Sequence, residues 1–224
     1  MRVHCRFRLA YASAVVGLLA APPSPARDAL VVADPAAPLA ETWIHQRFGA
    51  ATEYKGVVLD GVAAIRAVGH RSASGLYRSF RYRITEHPWI VWSWRVHRLQ
   101  PTADIRVKAT EDYAAALFLI FGRPSMVNRD VPTLAYVWTS AGIGEGSIVD
   151  SPYHPGTTRN IVVRSGEKQL GRWVHERRNV VSDFRQAFGR EPPETVEVIA
   201  FFTDNDQTGE PVEAYYGAVR ALAQ

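Results

Sequence analysis

The sequence predicts a mostly β protein: a two-sheet antiparallel β-sandwich of the jelly-roll, galactose-binding-like kind, with one internal helix near residues 180–188. Three observations support this class. Many short runs of β-branched and aromatic residues alternate with polar residues. Gly, Pro, Asn and Asp cluster between these runs, as they do in turns. Only one interior stretch has helical spacing with capping residues at both ends.

Residues 1–26 have the pattern of a secretory signal peptide. A basic start precedes a short apolar segment, residues 9–21, and small residues follow where cleavage is expected. An N-terminal membrane anchor is the alternative, although the apolar segment is short for a membrane span. The signal predicts a periplasmic or secreted bacterial protein whose mature chain has no membrane span.

The rest of the chain is predicted to comprise a loose Ala/Pro-rich linker, residues 27–42, and a single domain, residues 43–224. The only cysteine, Cys5, lies in the signal peptide. The mature domain therefore lacks disulfides and must be held together by its apolar core. Three of the four net positive charges also lie in the signal peptide, so the basic composition does not predict a nucleic-acid partner. The oligomeric state stays open.

In the first half of the domain, strand-like runs follow one another from residue 53. The pair Asp60-Gly61 separates two such runs and predicts a tight hairpin. In residues 89–98, Trp92 and Trp94 share one face with aliphatic neighbours, which predicts that both lie in the core. Residues 104–109 alternate and predict a strand. Residues 113–121 are apolar throughout, which favours a strand buried on both faces, with a short helix as the alternative.

The second half adds strands near residues 134–140 and 159–166, joined by a loop rich in Gly, Ser and Pro. Asn179 is a candidate N-cap for the one helix, and Gly189 lies where a C′ glycine is expected. After the helix, a β-branched run from residue 195 leads into an acidic motif.

This motif, Thr203–Gly217, contains the first candidate site. Asp204, Asp206 and Gly209 have the spacing with which a calcium-binding loop begins. The match to an EF-hand then fails, because the twelfth position is Tyr215 rather than a bidentate glutamate. A different calcium site at Asp204 and Asp206 remains open. In the alternative, both carboxylates accept backbone N–H groups in a turn and Gly209 supplies a positive φ.

A second charged stretch, residues 174–183, contains Glu176 and Asp183 among arginines. Arginine keeps a neighbouring carboxylate ionised, which suits an ion-pair network or a polar binding floor better than a general acid. A helix cap with surface ion pairs is the alternative. Asp204 continues the core-facing side of its strand, so it is expected to need a partner, and an arginine of this stretch is a candidate.

A third group, Arg95, Lys108 and Asp112, is expected on one sheet face. Sandwich modules hold polar ligands such as sugars with aromatic and polar side chains on a concave face. Familiar catalytic signatures are missing from the sequence, including H-E-x-x-H, G-x-S-x-G, C-x-x-C and the P-loop.

These observations favour a non-catalytic binding module for a polar ligand such as a cell-envelope glycan. The alternative is a glycan-active hydrolase or lyase that uses a carboxylate with Arg or Lys. A purely structural envelope protein is a third possibility. No cofactor is predicted apart from the open calcium site.

Several motifs, in order, carry a family resemblance: SASGLYR, WSWRV, LAYVW, GRWVHERRNVVSDFRQAFG and FFTDNDQTG. Across roughly residues 43–222 the chain resembles a bacterial secreted-protein family, domain-of-unknown-function family three-zero-four-seven. The resemblance implies that recurrent polar positions of the family fall here on Arg95, Lys108, Asp112, Arg164, Ser165, Glu176, Asp183, Asp204 and Asp206. All of these except Ser165 and Asp206 are predicted to bind the ligand.

The chain departs from the family pattern at three positions. Ala116 stands where the resemblance implies an arginine, and Ala135 where it implies an asparagine. Glu111-Asp112 stands where it implies two aspartates. If these positions line a shared pocket, this chain has lost polar groups from it, and an inherited activity would be weakened or altered.

Overall fold

The computed structural model describes residues 29–123, 131–140 and 142–224. Its strands form two sheets that pack face to face around one large apolar core. This confirms the predicted mostly β sandwich. The predicted signal peptide lies outside the described residues.

The six-stranded sheet has the order β11-β6-β13-β4-β3, with β1 also paired to β13. Its strands are β1 (Ala29–Ala33), β3 (Glu53–Leu59), β4 (Val62–Gly69), β6 (Trp89–Arg98), β11 (Val174–Asn179) and β13 (Val212–Leu222). Every pair in this sheet is antiparallel.

The seven-stranded sheet has the order β2-β5-β12-β7-β8-β10-β9. Its strands are β2 (Ile44–Arg47), β5 (Ser74–Arg83), β7 (Ala115–Ile120), β8 (Thr133–Thr139), β9 (Ile148–Asp150), β10 (Thr158–Ser165) and β12 (Thr195–Phe202). One pair, β8 with β10, is parallel, so this sheet is mixed rather than purely antiparallel. Strand β9 lies within the stretch that the sequence predicted to be a loop.

Two short α-helices accompany the sheets, α1 (Leu39–Thr42) and α2 (Val180–Phe188). Helix α2 is the predicted one, and its caps are confirmed. The Asn179 side chain accepts the backbone N–H of Ser182 at 2.9 Å, and Gly189 has a φ of 65°. Within the described residues, the helices are too short to cross a membrane.

The hairpin between β3 and β4 is also confirmed. Asp60 and Gly61 both have positive φ, 53° and 77°, as a two-residue primed turn requires. The predicted strand over residues 104–109 is wrong. There the Asp104 carboxylate accepts the backbone N–H of Arg106 and also binds its guanidinium, which favours a turn over an extended strand.

Part of the predicted loose linker, residues 27–42, is a strand in the structure. Residues 29–33 form β1, which pairs with Val219–Leu222 of β13. Val32 and Ala33 are fully buried. The apolar run ALVVA gains a sheet partner and a core contact that a linker would lack.

The core between the sheets contains the aromatic residues that the alternation predicted. Trp92 and Trp94 are buried and lie edge to face, with ring centroids 5.3 Å apart. From the facing sheet, Tyr136 packs on Trp92 and Trp138 packs on Trp94. Because these large rings interlock across both sheets, the core fixes how one sheet lies on the other.

A second, smaller apolar cluster covers the other face of the seven-stranded sheet. Side chains alternate across a strand, so Leu117 and Leu119 of β7 enter the core, whereas Ala116 and Phe118 join this second cluster. Phe202 of β12 lies in the same cluster. We call this face of the seven-stranded sheet the outer face, and the candidate site lies on it.

Candidate functional site

The acidic motif begins where β12 ends, at the edge of the outer face. The backbone N–H of Asp204 donates to the carbonyl of Tyr113 at 3.2 Å. Its side-chain Oδ1 accepts the backbone N–H of Tyr113 at 2.6 Å. Asp204 is only 5% exposed, so this carboxylate anchors the strand end to the segment before β7.

The next residues form the predicted turn. Gly209 has a φ of 68° and donates its backbone N–H to the Asn205 carbonyl. Asn205, which the sequence did not single out, is buried. Its side chain accepts the N–H of Ser72 and donates to the carbonyls of Gly69 and Glu210. A buried amide with its groups satisfied holds the turn against β4.

Asp112 holds the other side of this turn. One carboxylate oxygen accepts the backbone N–H of Gln207 at 3.2 Å. The other accepts the backbone N–H and the hydroxyl of Thr208, at 2.8 and 2.5 Å. The turn therefore needs no bound ion, because the Asp112 carboxylate accepts hydrogen bonds from its backbone N–H groups.

Three carboxylates nevertheless meet here. Asp112, Asp204 and Asp206 each have an oxygen within 4.8 Å of the others. Burial raises the pKa of Asp204 well above its usual range, and the neighbouring carboxylates of Asp112, Asp206 and Glu111 raise it further against the lowering effect of the Tyr113 N–H. Burial also raises the pKa of Asp206. The cluster therefore resists full ionisation in the absence of a cation.

Glu111 is a further carboxylate at this site, and the sequence noted it only as half of an acidic pair. Its Oε1 accepts the hydroxyls of Tyr113 at 2.7 Å and Ser151 at 3.0 Å. Burial raises the pKa of Glu111, although these two hydrogen bonds lower it. Tyr113 is only two residues away in sequence, but Ser151 follows β9 and is 40 residues away. No local pattern could therefore have revealed the whole of this environment.

These groups surround a cavity of about 370 Å³ on the outer face. Rings form much of its wall: Phe118 and Phe202 stack with centroids 5.6 Å apart, and Tyr113 lies edge-on to both at 6.0 Å. Its lining also contains Phe48, Tyr77, Tyr153, His154, Glu111, Asp204, Asp206 and Gln207. Burial raises the pKa of Tyr77 to about 12, so this hydroxyl is a hydrogen-bond donor at neutral pH.

A second cavity of about 550 Å³ continues the first along the sheet. The two share five lining residues: Phe48, Tyr77, Phe118, His154 and Thr158. The described lining of the second cavity contains no carboxylate, lysine or arginine. Together the cavities form an elongated cleft with one acidic end and one uncharged end.

Both alanines that depart from the family pattern lie on this outer face. Ala116 and Ala135 are fully buried in the second apolar cluster. Ala135 is paired with Asn160 of β10. The Asn160 Nδ2 is buried without a hydrogen-bond partner within the described residues. The methyl group of Ala135 offers this amide no hydrogen-bond acceptor.

The other predicted ligand-binding residues lie apart from the acidic end, in separate ion pairs. Arg164 binds Glu176 in a bidentate pair, at 2.7 and 2.9 Å, and the Trp94 indole donates to the same carboxylate. Arg95 pairs with Asp60 at 2.5 Å. Ser165, a family position, donates to the Ser140 carbonyl.

Asp183 of α2 is held in a similar network. Its carboxylate accepts two bonds from Arg178, at 2.9 and 2.5 Å, and one from the Tyr136 hydroxyl at 2.9 Å. The expected arginine partner of Asp204 is wrong, because in the described chain Asp204 forms no ion pair and the arginine goes to Asp183 instead. Lys108 alone stays near the site, with its ammonium 4.7 Å from the Tyr153 ring centroid.

The calcium site stays a prediction, and Asp112 joins Asp204 and Asp206 as a possible ligand. A bound divalent cation would offset the repulsion among the three carboxylates and stabilise the folded state by mass action. We therefore expect millimolar calcium to raise the melting temperature relative to a chelator, and Asp206→Asn to reduce the shift. Equal melting temperatures in calcium and in chelator would contradict the predicted calcium site.

Comparison with known proteins gives the fold some context. No curated protein matches the chain in sequence. It is similar in structure to an endoglucanase, cel12A from Rhodothermus marinus, with a TM-score of 0.43 and 13% identity over 80% of this chain and 92% of that chain. A family 11 xylanase from Neocallimastix patriciarum gives a TM-score of 0.30 and 11% identity over 80% and 95%. Neither likeness is strong enough to bear on activity.

The family comparison is more direct. A family model described as "Protein of unknown function (DUF3047)" matches residues 41–220, which covers both sheets except β1 and the end of β13. It includes the acidic turn, both departing alanines and every residue of the ion-pair networks described above. The resemblance seen in the ordered motifs is thereby confirmed, and the chain belongs to the DUF3047 family.

Proposed function

We propose that this protein is an exported bacterial binding module, periplasmic or secreted, that holds a cell-envelope glycan in the cleft on the outer face. The observation that carries the proposal is the lining of the cleft. Aromatic rings stand beside carboxylate, amide and hydroxyl groups in one concavity. Sugars present apolar C–H faces and polar edges, and this mixture of side chains is suited to both.

The shape of the cleft supports an extended ligand over a single sugar. The acidic cavity alone has the volume of a small-molecule site. The uncharged cavity that continues it provides Gln46, Ser79, Thr133 and Thr157 among its apolar residues. These groups offer hydrogen bonds to further sugar rings of a chain that follows the sheet.

The test is a glycan array followed by calorimetry on the purified protein. Phe48→Ala and Tyr153→Ala each remove a ring from the cleft wall, at side chains that are 63% and 42% exposed and therefore tolerant of change. We expect each to weaken glycan binding by about tenfold, the value of one ring contact of ~1.4 kcal/mol. Val58→Ala, at a residue 75% exposed on the other sheet, is the control.

Binding that survives both ring substitutions would place the glycan elsewhere. A folded protein that binds no saccharide on the array would contradict the proposal itself.

One observation favours a second candidate, a glycan-active hydrolase or lyase. Glu111 lines the cavity, and burial raises its pKa, as a general acid requires. Asp204 and Asp206 line the same cavity and supply further carboxylates. If the protein is such an enzyme, incubation with a glycan that it binds will release new reducing or unsaturated ends, and Glu111→Gln will abolish the release without abolishing binding.

A further inference from the structure

The acidic end of the cleft has an unbalanced charge. Glu111, Asp204 and Asp206 all line the smaller cavity. Asp112 has a carboxylate oxygen within 4.8 Å of those of Asp204 and Asp206. The described lining of the cavity contains neither lysine nor arginine. Of the arginines that the sequence suggested as partners, Arg178 pairs with Asp183 and Arg177 lies over the Trp89 ring. A neutral ligand would cover these carboxylates and leave their charge without compensation.

The same cavity is walled by aromatic rings. Six of its lining residues are aromatic: Phe48, Tyr77, Tyr113, Phe118, Tyr153 and Phe202. The face of an aromatic ring attracts a cation within about 6 Å of its centre, and aromatic cages are a known means of binding ammonium groups. The Tyr153 ring already contacts an ammonium group, because the Lys108 ammonium lies 4.7 Å from its centroid.

We propose that this end of the cleft recognises a protonated amine, and that the glycan of the proposed function is one with free amino groups on its sugars. The inference rests on the proposed function and narrows its ligand. Rings and carboxylates together suit an ammonium group, which can bond to a carboxylate on one side and contact ring faces on another.

The ionisation of the site agrees with this assignment. Burial raises the pKa of Asp204, Asp206 and Glu111, and a bound cation would lower all three again. The other ionisable groups at this end are Tyr113, Tyr153 and His154 in the wall, with Asp112 and Lys108 adjacent.

The experiment is calorimetry with a matched pair of ligands, glucosamine oligomers and their fully N-acetylated counterparts. The amine form carries the charge and the acetylated form does not. We expect the amine form to bind at least tenfold more tightly at pH 7, and the preference to shrink in high salt because ion-pair binding is screened. Spermidine and choline serve as further probes, to separate recognition of an amino sugar from recognition of any ammonium group.

Two variants act in opposite directions. Asp206→Asn removes an accessible carboxylate and should weaken amine binding by roughly tenfold. Lys108→Gln removes the competing ammonium at Tyr153 and should tighten it about threefold. A loss of fold cannot produce tighter binding, so the second variant excludes that explanation. Glu194→Gln, an exposed carboxylate outside the cleft, is the charge control.

The outcomes separate the two proposals. Equal binding of the amine and acetylated oligomers would overturn the amine inference and leave the glycan module standing. Binding of spermidine and choline without either oligomer would sustain recognition of an ammonium group and overturn the amino sugar as its source. Failure of every probe would overturn the amine inference, and the glycan array would then decide whether the glycan module stands.

Discussion

Asp204→Asn is expected to raise the stability of the folded protein at pH 7, by about 1–3 kcal/mol, the usual penalty of an uncompensated buried polar group. The substitution keeps the oxygen that accepts the Tyr113 N–H. It removes a buried negative charge that lies among other carboxylates. The new amide N–H groups can also donate to the oxygens of Asp112 or Asp206, which converts a repulsion into hydrogen bonds.

The gain should depend on pH in a defined direction. The pKa of Asp204 is raised in the folded state, so the folded protein holds this proton more tightly than the unfolded chain. The stabilisation that Asp204 gives the wild type is complete below the pKa of this group in the unfolded chain, about 4, and is lost as the pH rises through its pKa in the folded protein. The variant lacks this fall, so its advantage should be small at pH 4 and large at pH 7.

Thermal unfolding of both proteins between pH 4 and pH 7 measures this difference. For a chain of this size we expect a rise of about 2–10 °C in melting temperature at pH 7. A variant that is less stable than the wild type at pH 7 would show that the charge of Asp204 is structural. If the amine inference holds, the stabilised variant should also bind its ligand less well, since sites often sacrifice stability for function.

Asp183→Ala should produce the largest loss of stability, about 2–4 kcal/mol, near the lower end of the range for breaking a buried ion pair because Arg178 is 32% exposed. The substitution leaves the guanidinium of Arg178 and the hydroxyl of Tyr136 without their acceptor. Tyr136 is fully buried between the sheets, so water cannot replace the lost bond.

Denaturant unfolding of three variants tests this ranking. Asp183→Asn keeps an acceptor for Tyr136 and should lose less than Asp183→Ala. Glu191→Ala breaks an ion pair to Arg185 of the same helix, but both partners are exposed, at 57% and 73%, so we expect a much smaller loss than for Asp183→Ala. Equal losses for Asp183→Ala and Glu191→Ala would contradict a structural role for the buried network.

Much of the fold was predictable from local pattern. Neighbouring residues specify three features whose predictions are confirmed. These are the shared core face of Trp92 and Trp94, the Asp60-Gly61 turn and the caps of α2. Strand β1 was missed because its run is short and Ala/Pro-rich segments follow it. The strand predicted at 104–109 failed because one side-chain contact, Asp104 to Arg106, outweighs alternation.

The site was less predictable, since its contacts join distant parts of the chain. Sequence singled out Asp112, Asp204 and Asp206, but their meeting depends on Tyr113 binding the end of β12 across the sheet. Glu111 acquires its environment from Ser151 and Tyr113. Arg164 and Glu176 were also predicted to lie at the binding site. They pair with each other instead, and the acidic end of the cleft has no arginine in its described lining. Composition alone cannot show whether a carboxylate pairs with an arginine or lines the cleft without one.

The pairing of β1 has a consequence for how the chain acquires its structure. Strand β13 pairs with β1, β4 and β6, so one late-emerging segment joins three that emerge earlier. While synthesis is under way, those three strands have no common partner, and the six-stranded sheet is incomplete until β13 has been made. Such long-range closure makes folding slow, so the emerging chain stays without its completed core until nearly all of the domain has been made.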